Sequence, residues 1–232
     1  MIDNNGMLLH SYRQGEASIN GNLDDYAFII SALIDLYEAS FKTEYLTKAL
    51  HLNSELIKRF WDNRNGGFFF TSHEAELMIA RQKEIYDGAI PSGNSAEMMN
   101  LIRLGRMTSS PELEHKAFET SRAFSRQLSA SPSNFSYALC ALDFAFGPSN
   151  EIVITGGTDS EVTKQFILSL KEFYIPSKIV ILNSGDEIKR AAPFLVNQIQ
   201  IGGKPTAYVC RNYVCSLPVN KIEDFKKLLK KL

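Results

Sequence analysis

The chain has 232 residues, of which 44% are hydrophobic and 22% are charged, a composition typical of folded globular proteins. The 25 Lys and Arg residues are balanced by 26 Asp and Glu residues, and a net charge of −1 excludes a strongly basic surface, so we expect no nucleic-acid partner. The N-terminus lacks a basic segment followed by an apolar run, and no other stretch is long and apolar enough to cross a bilayer. We therefore expect no export signal and no membrane association.

The three cysteines argue against a secreted disulfide framework and favour a cytoplasmic location. Cys140 lies in an apolar segment and is predicted to be a core residue. Cys210 and Cys215 would face each other across a hairpin turn centred on Asn212-Tyr213, as a redox-sensitive pair or as two thiols, and a reducing compartment favours the thiols. A zinc site would need two more ligands beside this pair, and no Cys or His follows it. We expect no metal and no cofactor.

Five segments have the apolar periodicity of α-helices. Apolar residues surround three of these segments and occupy one side of the other two, so buried inner helices alternate with amphipathic outer helices. In chain order the segments are Leu23–Ser40, Tyr45–Phe60, Ser95–Gly105, Leu113–Leu128 and Phe135–Phe146. They predict a partial (α/α) toroid over residues 1–147, preceded at residues 1–21 by a loop or short extended piece.

Two stretches of the chain have the pattern of β-structure. Asn65-Gly66-Gly67 followed by Phe68–Thr71 predicts a turn and a short strand, with Leu77–Ala80 as its partner, which places a β-hairpin insertion near residues 66–80. After residue 147, β-branched runs alternate with amphipathic segments, which predicts a small α/β lobe over residues 148–232 that begins with a βαβ unit. The fold class is therefore mostly α, with a partial toroid followed by a small α/β lobe.

The segment Glu84–Ser95 is dense in polar side chains and stands between the predicted hairpin and an inner helix. Glu84 and Asp87, together with Asp24 and Asp25 at the start of the first inner helix, could supply the acid and base of glycoside hydrolysis, although helix caps and loop hydrogen bonds explain the same residue types. Backbone N–H groups at the start of the following helix could bind an anion or a hydroxyl group, although an ordinary helix cap would look the same. The substrate-binding candidates are Tyr86, Ser92, Gly93, Asn94, Ser95 and His73.

These motifs resemble those of the YyaL-like family, which includes spermatogenesis-associated protein 20. The resemblance covers nearly the whole chain in the family's order, through Leu23-Asp-Asp-Tyr-Ala27, Gly67-Phe-Phe-Phe-Thr71, Lys83 to Ser95, and Thr206-Ala-Tyr-Val-Cys210 with Cys215. It implies a six-hairpin (α/α) toroid like that of glycosidases and N-acylglucosamine 2-epimerases, joined in fuller members to an N-terminal thioredoxin-like domain. Since the predicted helices are too few for six hairpins, the chain resembles a C-terminal portion of the family.

The resemblance implies two alternative functions. The first is half of a pocket for a sugar-like small molecule, with glycosidase-like or epimerase-like activity. The sequence gives little support for epimerase chemistry, because His73 is the one histidine expected near the pocket. The second is a non-catalytic scaffold or interaction module that works with a thioredoxin-like domain. In both cases inner helices that are apolar all round would need a partner, either the N-terminal part of the family protein or a second copy of this chain.

Overall fold

The computed structural model describes residues 2–3, 6–75 and 80–232. As predicted, it is mostly α-helical with a small α/β lobe. Its helices are α1 Leu23–Ser40, α2 Thr43–Phe60, α3 Gly93–Thr108, α4 Pro111–Ala123, α5 Ser125–Ala130, α6 Ser136–Phe146, α7 Glu161–Leu170, α8 Asp186–Ala191 and α9 Ile222–Leu229. Its strands are β1 Leu9–Arg13, β2 Glu16–Asn20, β3 Asn150–Thr155, β4 Lys178–Asn183, β5 Thr206–Arg211 and β6 Val214–Cys215. Within these ranges, no helix combines the length and apolar character that crossing a bilayer requires.

Helix α3 is the centre of the helical part, because α1, α4 and α6 all pack against it. Nearly all of its side chains are buried, as the apolar pattern on every side of this segment predicts. The first turn of α3 lies directly on the first turn of α1. A Cβ atom built on Gly93 would come 2.3 Å from Asp24 Oδ1 and 2.7 Å from Leu23 Cγ, so the close approach of the two helices requires glycine at this position.

One face of α1 carries exposed apolar residues. Ile29 and Leu36 are 43% and 46% exposed, and Ala32 between them is also exposed. We call these three residues the α1 stripe; their spacing places them on a single side of the helix. The opposite side, including Ile30 and Ile34, is fully buried. The helix therefore presents an apolar face to solvent, although its sequence predicts burial on most sides.

Two stretches of the chain differ from their predicted secondary structure. The segment expected to be a loop or extended piece contains the antiparallel hairpin β1–β2, whose turn at Gln14-Gly15 has positive φ angles. Phe68–Thr71, predicted as a strand, forms a single bridge between Phe68 and Trp61. The neighbouring backbone groups bond to separate partners, which are Phe60 at the end of α2, Leu23 at the start of α1, and Gln82. Of its predicted partner Leu77–Ala80, residues 77–79 lie outside the described residues.

The predicted helix Leu113–Leu128 is divided into α4 and α5. Phe124 at the junction has φ −108° and ψ 8°, outside helical geometry, and its side chain is buried. The sequence has neither Gly nor Pro at this break. Local helix propensity therefore does not account for it, and the break coincides with the buried Phe124 side chain.

The lobe contains a four-stranded sheet in the order β4-β3-β5-β6, with β3 and β4 parallel and the other pairs antiparallel. One face of the sheet, through Val153, Ile179 and Ile181, joins the core of the helical part. The opposite face packs on α7 and α9. Residues 1–147 and 148–232 thus share a core, and their division into two domains stays a prediction.

Helix α1 also covers the outer edge of β4. The backbone N–H of Val180 donates to Glu38 Oε1 at 2.9 Å, and that of Leu182 donates to the Tyr37 hydroxyl oxygen at 3.3 Å. An uncovered edge strand would leave these N–H groups free for pairing with another chain. The end of α1 therefore protects the sheet and fixes the lobe against the helices.

Candidate functional site

A cavity of about 210 Å³ lies between the start of α1 and the loop that precedes α3. We call it the mouth pocket. It contains four of the predicted site residues, Asp24, Glu84, Tyr86 and Ser92. The remaining lining residues are Leu23, Phe70, Gly88, Ala89, Ile90 and Pro91. Its volume is below the roughly 300–1,000 Å³ of pockets that enclose a drug-sized ligand, so it fits a small ligand or one part of a larger ligand.

Asp24 is the half-buried carboxyl group of the mouth pocket. Burial is the main cause that raises its pKa above the ordinary value, and the nearby carboxylates of Glu84 and Asp25 act in the same direction. The backbone N–H of Gly93, which donates to Asp24, partly offsets this rise. The environment therefore favours a protonated Asp24 more than water would.

Glu84 and Tyr86 are the exposed polar groups of the mouth pocket. The Tyr86 ring is 54% exposed, which leaves part of its surface available to a ligand. Within the described ranges, no Lys, Arg or His side chain forms an ion pair with Asp24 or Glu84. The pocket thus contains two carboxyl groups that are not neutralised by a basic side chain of the described chain.

Asp25 has structural partners. Its Oδ2 accepts the Asn22 backbone N–H at 2.8 Å, as an acidic residue in the first turn of a helix does in a capping box. The same oxygen lies 2.9 Å from Nδ1 of His10 on β1. Asp25 does not line the mouth pocket, and it ties the hairpin β1–β2 to the start of α1.

Asp87 also has structural partners, on two helices. Its Oδ1 accepts the Ser92 N–H at 3.0 Å, and its Oδ2 accepts the N–H groups of Tyr137 and Ala138 at 2.8 and 3.1 Å. A carboxylate that accepts the free N–H groups of a first turn stabilises the helix. Asp87 therefore caps α6 and holds the loop at the start of α3.

The other predicted binding residues mostly clamp this loop. Asn94 is fully buried; its Oδ1 accepts the Phe68 N–H at 2.8 Å, and its Nδ2 donates to the carbonyls of Phe68 and Glu84 at 2.9 and 2.8 Å. Ser92 Oγ accepts the Ser95 N–H at 3.2 Å as the N-cap of α3, and donates to Ser95 Oγ. The side-chain donors and acceptors that the sequence suggested for binding a ligand therefore bond to the protein itself.

Two cations fix the start of the loop. Arg81 donates to the carbonyl of Thr71 at 2.6 Å, and its guanidinium lies 4.1 Å from the centre of the Phe69 ring. Lys83 Nζ donates to Asp62 Oδ2 at 2.7 Å and to the Gly66 carbonyl at 2.8 Å. The pocket wall is therefore held from both ends, which favours a preformed site.

The structure brings a different histidine to the start of α1 from the one the sequence suggested. His73 lies on the carbonyl of Arg59, with Nδ1 3.1 Å from that oxygen, and it does not line the mouth pocket. His10 instead pairs with Asp25. A prediction of the hairpin β1–β2 from the sequence would have indicated His10, because the hairpin places His10 beside the start of α1.

A larger cavity of about 740 Å³ lies between α1, α3 and α6. Its half-buried cation, Arg103, is paired at 2.8 Å with both Asp35 and Glu38, so the charge of the guanidinium is already balanced. Cys140 lines this cavity and is exposed, which corrects its prediction as a core residue. Asp24 and Glu84 of the mouth pocket, in contrast to Asp35 and Glu38, are not paired with a cation of the described residues. In these ranges, no three His, Cys, Asp or Glu side chains are grouped as a metal site would require.

Cys210 and Cys215 face each other on β5 and β6 and are joined by a disulfide. The cross-strand placement agrees with the prediction, whereas the sequence argument favoured two thiols. That argument used only the reducing compartment that the cysteine count favours, whereas the register of the hairpin supplies the geometric reason for a bond. The bond lies far along the chain from the mouth pocket and is a separate candidate site.

The fold and the pocket define a mostly helical protein with an α/β lobe and a carboxylate pair where α1 and α3 begin. No family model matches the chain. Over 215 residues, or 90% of its length, the chain is 37% identical to spermatogenesis-associated protein 20 of Homo sapiens and 36% identical to the protein of that name from Rattus norvegicus. It is also 30% identical over 239 residues to an uncharacterized protein of Caenorhabditis elegans.

The chain is therefore homologous to the C-terminal part of the spermatogenesis-associated protein 20 family, as the motifs in its sequence predicted. It spans 27% of the length of the human and rat relatives. The names of these relatives state no activity.

Proposed function

We propose that the mouth pocket binds a small polyhydroxylated ligand of the carbohydrate type and that Asp24 and Glu84 act on it as acid and base. The observation that supports this most directly is that both carboxyl groups line one cavity without a basic partner among the described residues. Asp24, whose pKa is raised by burial, is the candidate acid, and the more exposed Glu84 is the candidate base.

The residue types around the pair suit a sugar. Hydrolysis of a glycosidic bond uses one protonated and one ionised carboxyl group on opposite sides of the bond. The exposed face of Tyr86 can stack on the apolar face of a sugar ring, and the backbone groups of Gly88 and Ala89 line the same cavity. Asp25 and Asp87, which the sequence also suggested as catalytic, act in this proposal by holding α1, α3 and the loop in place.

The proposed partner is the preceding part of the family protein, which would complete a six-hairpin (α/α) toroid. The pocket is small and open, and the chain spans about a quarter of the length of its mammalian relatives. The α1 stripe offers the apolar face on which further helices would pack. In this arrangement the second wall of the pocket comes from that part, and the complex acts in the cytoplasm.

Saccharide binding tests the proposal. Saturation-transfer NMR with a panel of mono- and disaccharides should show binding to this chain when the preceding part of the family protein is co-expressed with it. Asp24→Asn and Glu84→Gln should each weaken binding at least tenfold, because each removes a group that contacts the ligand. Asp186→Asn, a change to a side chain that is 93% exposed in the lobe, should leave binding unchanged. Absence of saccharide binding with and without the preceding part would refute the proposal.

A non-catalytic scaffold is the second candidate function, and the α1 stripe is the observation in its favour. A module of this kind would use the stripe to bind the preceding part of the family protein, with the mouth pocket acting only as a structural junction. Leu36→Glu should then abolish co-purification of the two parts, whereas Leu168→Glu, at a residue of α7 that is 56% exposed, should not. Complex formation without saccharide binding would favour this candidate over the first.

A further inference from the structure

The hairpin β5–β6 is closed by a disulfide at an exposed position. Cys210 is paired directly with Cys215, and the bond encloses the four residues Arg211–Val214. Cys215 and the whole stretch from Arg211 to Leu217 are exposed, whereas Cys210 is 9% exposed. A reductant in solution can therefore approach the bond from the Cys215 side.

The turn of this hairpin binds the helical part of the molecule. The Tyr213 hydroxyl donates to Glu114 Oε1 of α4 at 2.7 Å, and the Tyr213 ring lies over the guanidinium of Arg106 of α3 at 4.4 Å. Asn212 exchanges two hydrogen bonds with Ser149, each of 3.0 Å, through its backbone N–H and its Oδ1. The hairpin thus connects the sheet to two helices far away in sequence.

Arg106 connects these contacts with one another. It is buried, donates to Glu151 Oε1 at 2.7 Å and to Glu114 Oε2 at 3.1 Å, and also donates to Ser149 Oγ. Glu151 in turn accepts the Tyr213 backbone N–H at 3.4 Å. We call Arg106, Glu114, Glu151 and the turn Asn212-Tyr213 the latch.

The conformation of the turn depends on closure of the hairpin. Asn212 and Tyr213 have φ angles of 49° and 64°, the left-handed region that two-residue hairpin turns require and that a bulky residue such as Tyr rarely adopts. Strand β6 contains only two residues, so few ladder hydrogen bonds hold it on β5. The disulfide is the covalent constraint on this turn.

We propose that the Cys210–Cys215 disulfide is a thiol-exchange site for a dithiol reductant, and that its reduction releases the Tyr213 turn from Glu114 and Arg106. A thiolate of the dithiol attacks Sγ of the more accessible Cys215, the protein S–S bond breaks, and Cys210 leaves as a thiolate that takes up a proton. The second thiol of the reductant then attacks the mixed disulfide and releases Cys215. The protein gains two electrons and two protons, and the dithiol becomes a cyclic disulfide.

The first measurement is the redox state of the pair in the full chain carrying Cys140→Ser, which removes the third cysteine. Under native conditions a maleimide–polyethylene glycol reagent should label no cysteine after aerobic purification and both cysteines after dithiothreitol. Oxidised glutathione should reverse the change, since two protein thiols and one glutathione disulfide give the protein disulfide and two glutathione molecules. Two labelled thiols in the untreated native protein, or resistance of the native bond to dithiothreitol, would overturn the proposal.

The second measurement is amide hydrogen exchange in the same protein. Reduction should speed exchange of the Ser149, Asn212 and Tyr213 amides by about tenfold, the factor expected when one hydrogen bond is lost, while α2 amides stay protected. Unchanged exchange at Ser149 after both thiols have been counted would overturn the release of the latch.

Two variants separate the latch from the bond. Cys210→Ser/Cys215→Ser should show the fast exchange permanently and no response to dithiothreitol. Tyr213→Phe removes the hydrogen bond to Glu114. In this variant the amides of the latch should exchange faster, while the disulfide keeps both cysteines from reacting with the maleimide. Tyr174→Phe, at a residue that is 92% exposed, is the matched control and should behave as the parent. Dithiothreitol sensitivity of Ser149 in the double serine variant would contradict the proposal.

Discussion

Glu97 is a fully buried carboxyl group in α3 whose described side-chain partners are amides rather than cations. Asn53 Nδ2 donates to its Oε1 at 2.6 Å and Asn100 Nδ2 to its Oε2 at 3.1 Å. Burial raises the pKa of Glu97 to about 8, and the hydrogen bond from Asn100 opposes this only in part. The residue therefore enters the fold as a neutral acid at and below neutral pH.

Replacement of Glu97 by Gln should remove a pH dependence of stability. Because the folded pKa lies above the ordinary value of 4.5, the contribution of Glu97 to the free energy of unfolding is greatest below about pH 4.5 and falls as the pH rises towards 8, by on the order of 5 kcal/mol in total. Urea unfolding between about pH 5 and pH 9 should show this fall in the parent and a much flatter profile in Glu97→Gln. Glu161→Gln, at an exposed side chain, should keep the parental profile, and an equal fall in Glu97→Gln would contradict the assignment.

Asn94 is the residue whose loss should most damage the pocket wall. Asn94→Ala leaves the N–H and C=O of Phe68 and the C=O of Glu84 without their partner, inside the protein. We expect a loss of about 3 kcal/mol in the free energy of unfolding, measured by urea denaturation. Asn197→Ala, at an exposed position, should change it by less than about 0.5 kcal/mol, and an equal effect of the two variants would show that the clamp is unimportant.

At the scale of elements, the helices and strands that the sequence predicted are those with a regular set of buried apolar side chains. Helices α1, α2, α3 and α6 have such a set, and apolar spacing predicted each of them. Strands β3 and β4 are also buried, and their β-branched residues predicted them. The hairpin β1–β2 was missed because its side chains are largely exposed and give no alternation. Phe68–Phe70 misled the prediction, because this apolar run forms only the single bridge between Phe68 and Trp61, and Phe70 is 37% exposed.

Gly93→Ala should force α1 and α3 apart. The added Cβ would overlap Asp24 Oδ1 and Leu23 Cγ, and the Leu23 side chain is buried in the core and cannot turn away into solvent. We expect a loss of about 1–3 kcal/mol in the free energy of unfolding, with changed amide chemical shifts for the residues of the mouth pocket. Gly157→Ala, where a Cβ meets no atom within 4 Å, is the matched control. Unchanged shifts at Asp24 and Glu84 in a destabilised Gly93→Ala would contradict the proposed geometry.

At the scale of the whole molecule, the sequence predicted which segments meet at the mouth pocket, and the catalytic and binding roles of its residues stay a prediction. The loop before α3 was correctly placed beside Asp24. The role of Asp87 depends on Tyr137 and Ala138, fifty residues further along the chain, and the role of Asp25 depends on His10. A single sequence contains no signal for contacts of this range, so a carboxylate that caps a helix and one that faces a pocket look alike.

Tyr37→Phe tests how strongly the sheet and the helices depend on each other. The variant removes the acceptor of the buried Leu182 N–H and should reduce the free energy of unfolding by about 1–3 kcal/mol. Because Val153, Ile179 and Ile181 of the sheet lie in the helical core, unfolding should be a single transition. Fluorescence of Trp61, the single tryptophan, and hydrogen exchange of β3 amides should therefore report the same loss, with Tyr174→Phe unchanged. If hydrogen exchange of the β3 amides showed the loss of stability and Trp61 fluorescence did not, two domains would unfold independently on either side of residue 147. Only in that case could the edge of β4 open without any effect on the surroundings of Trp61.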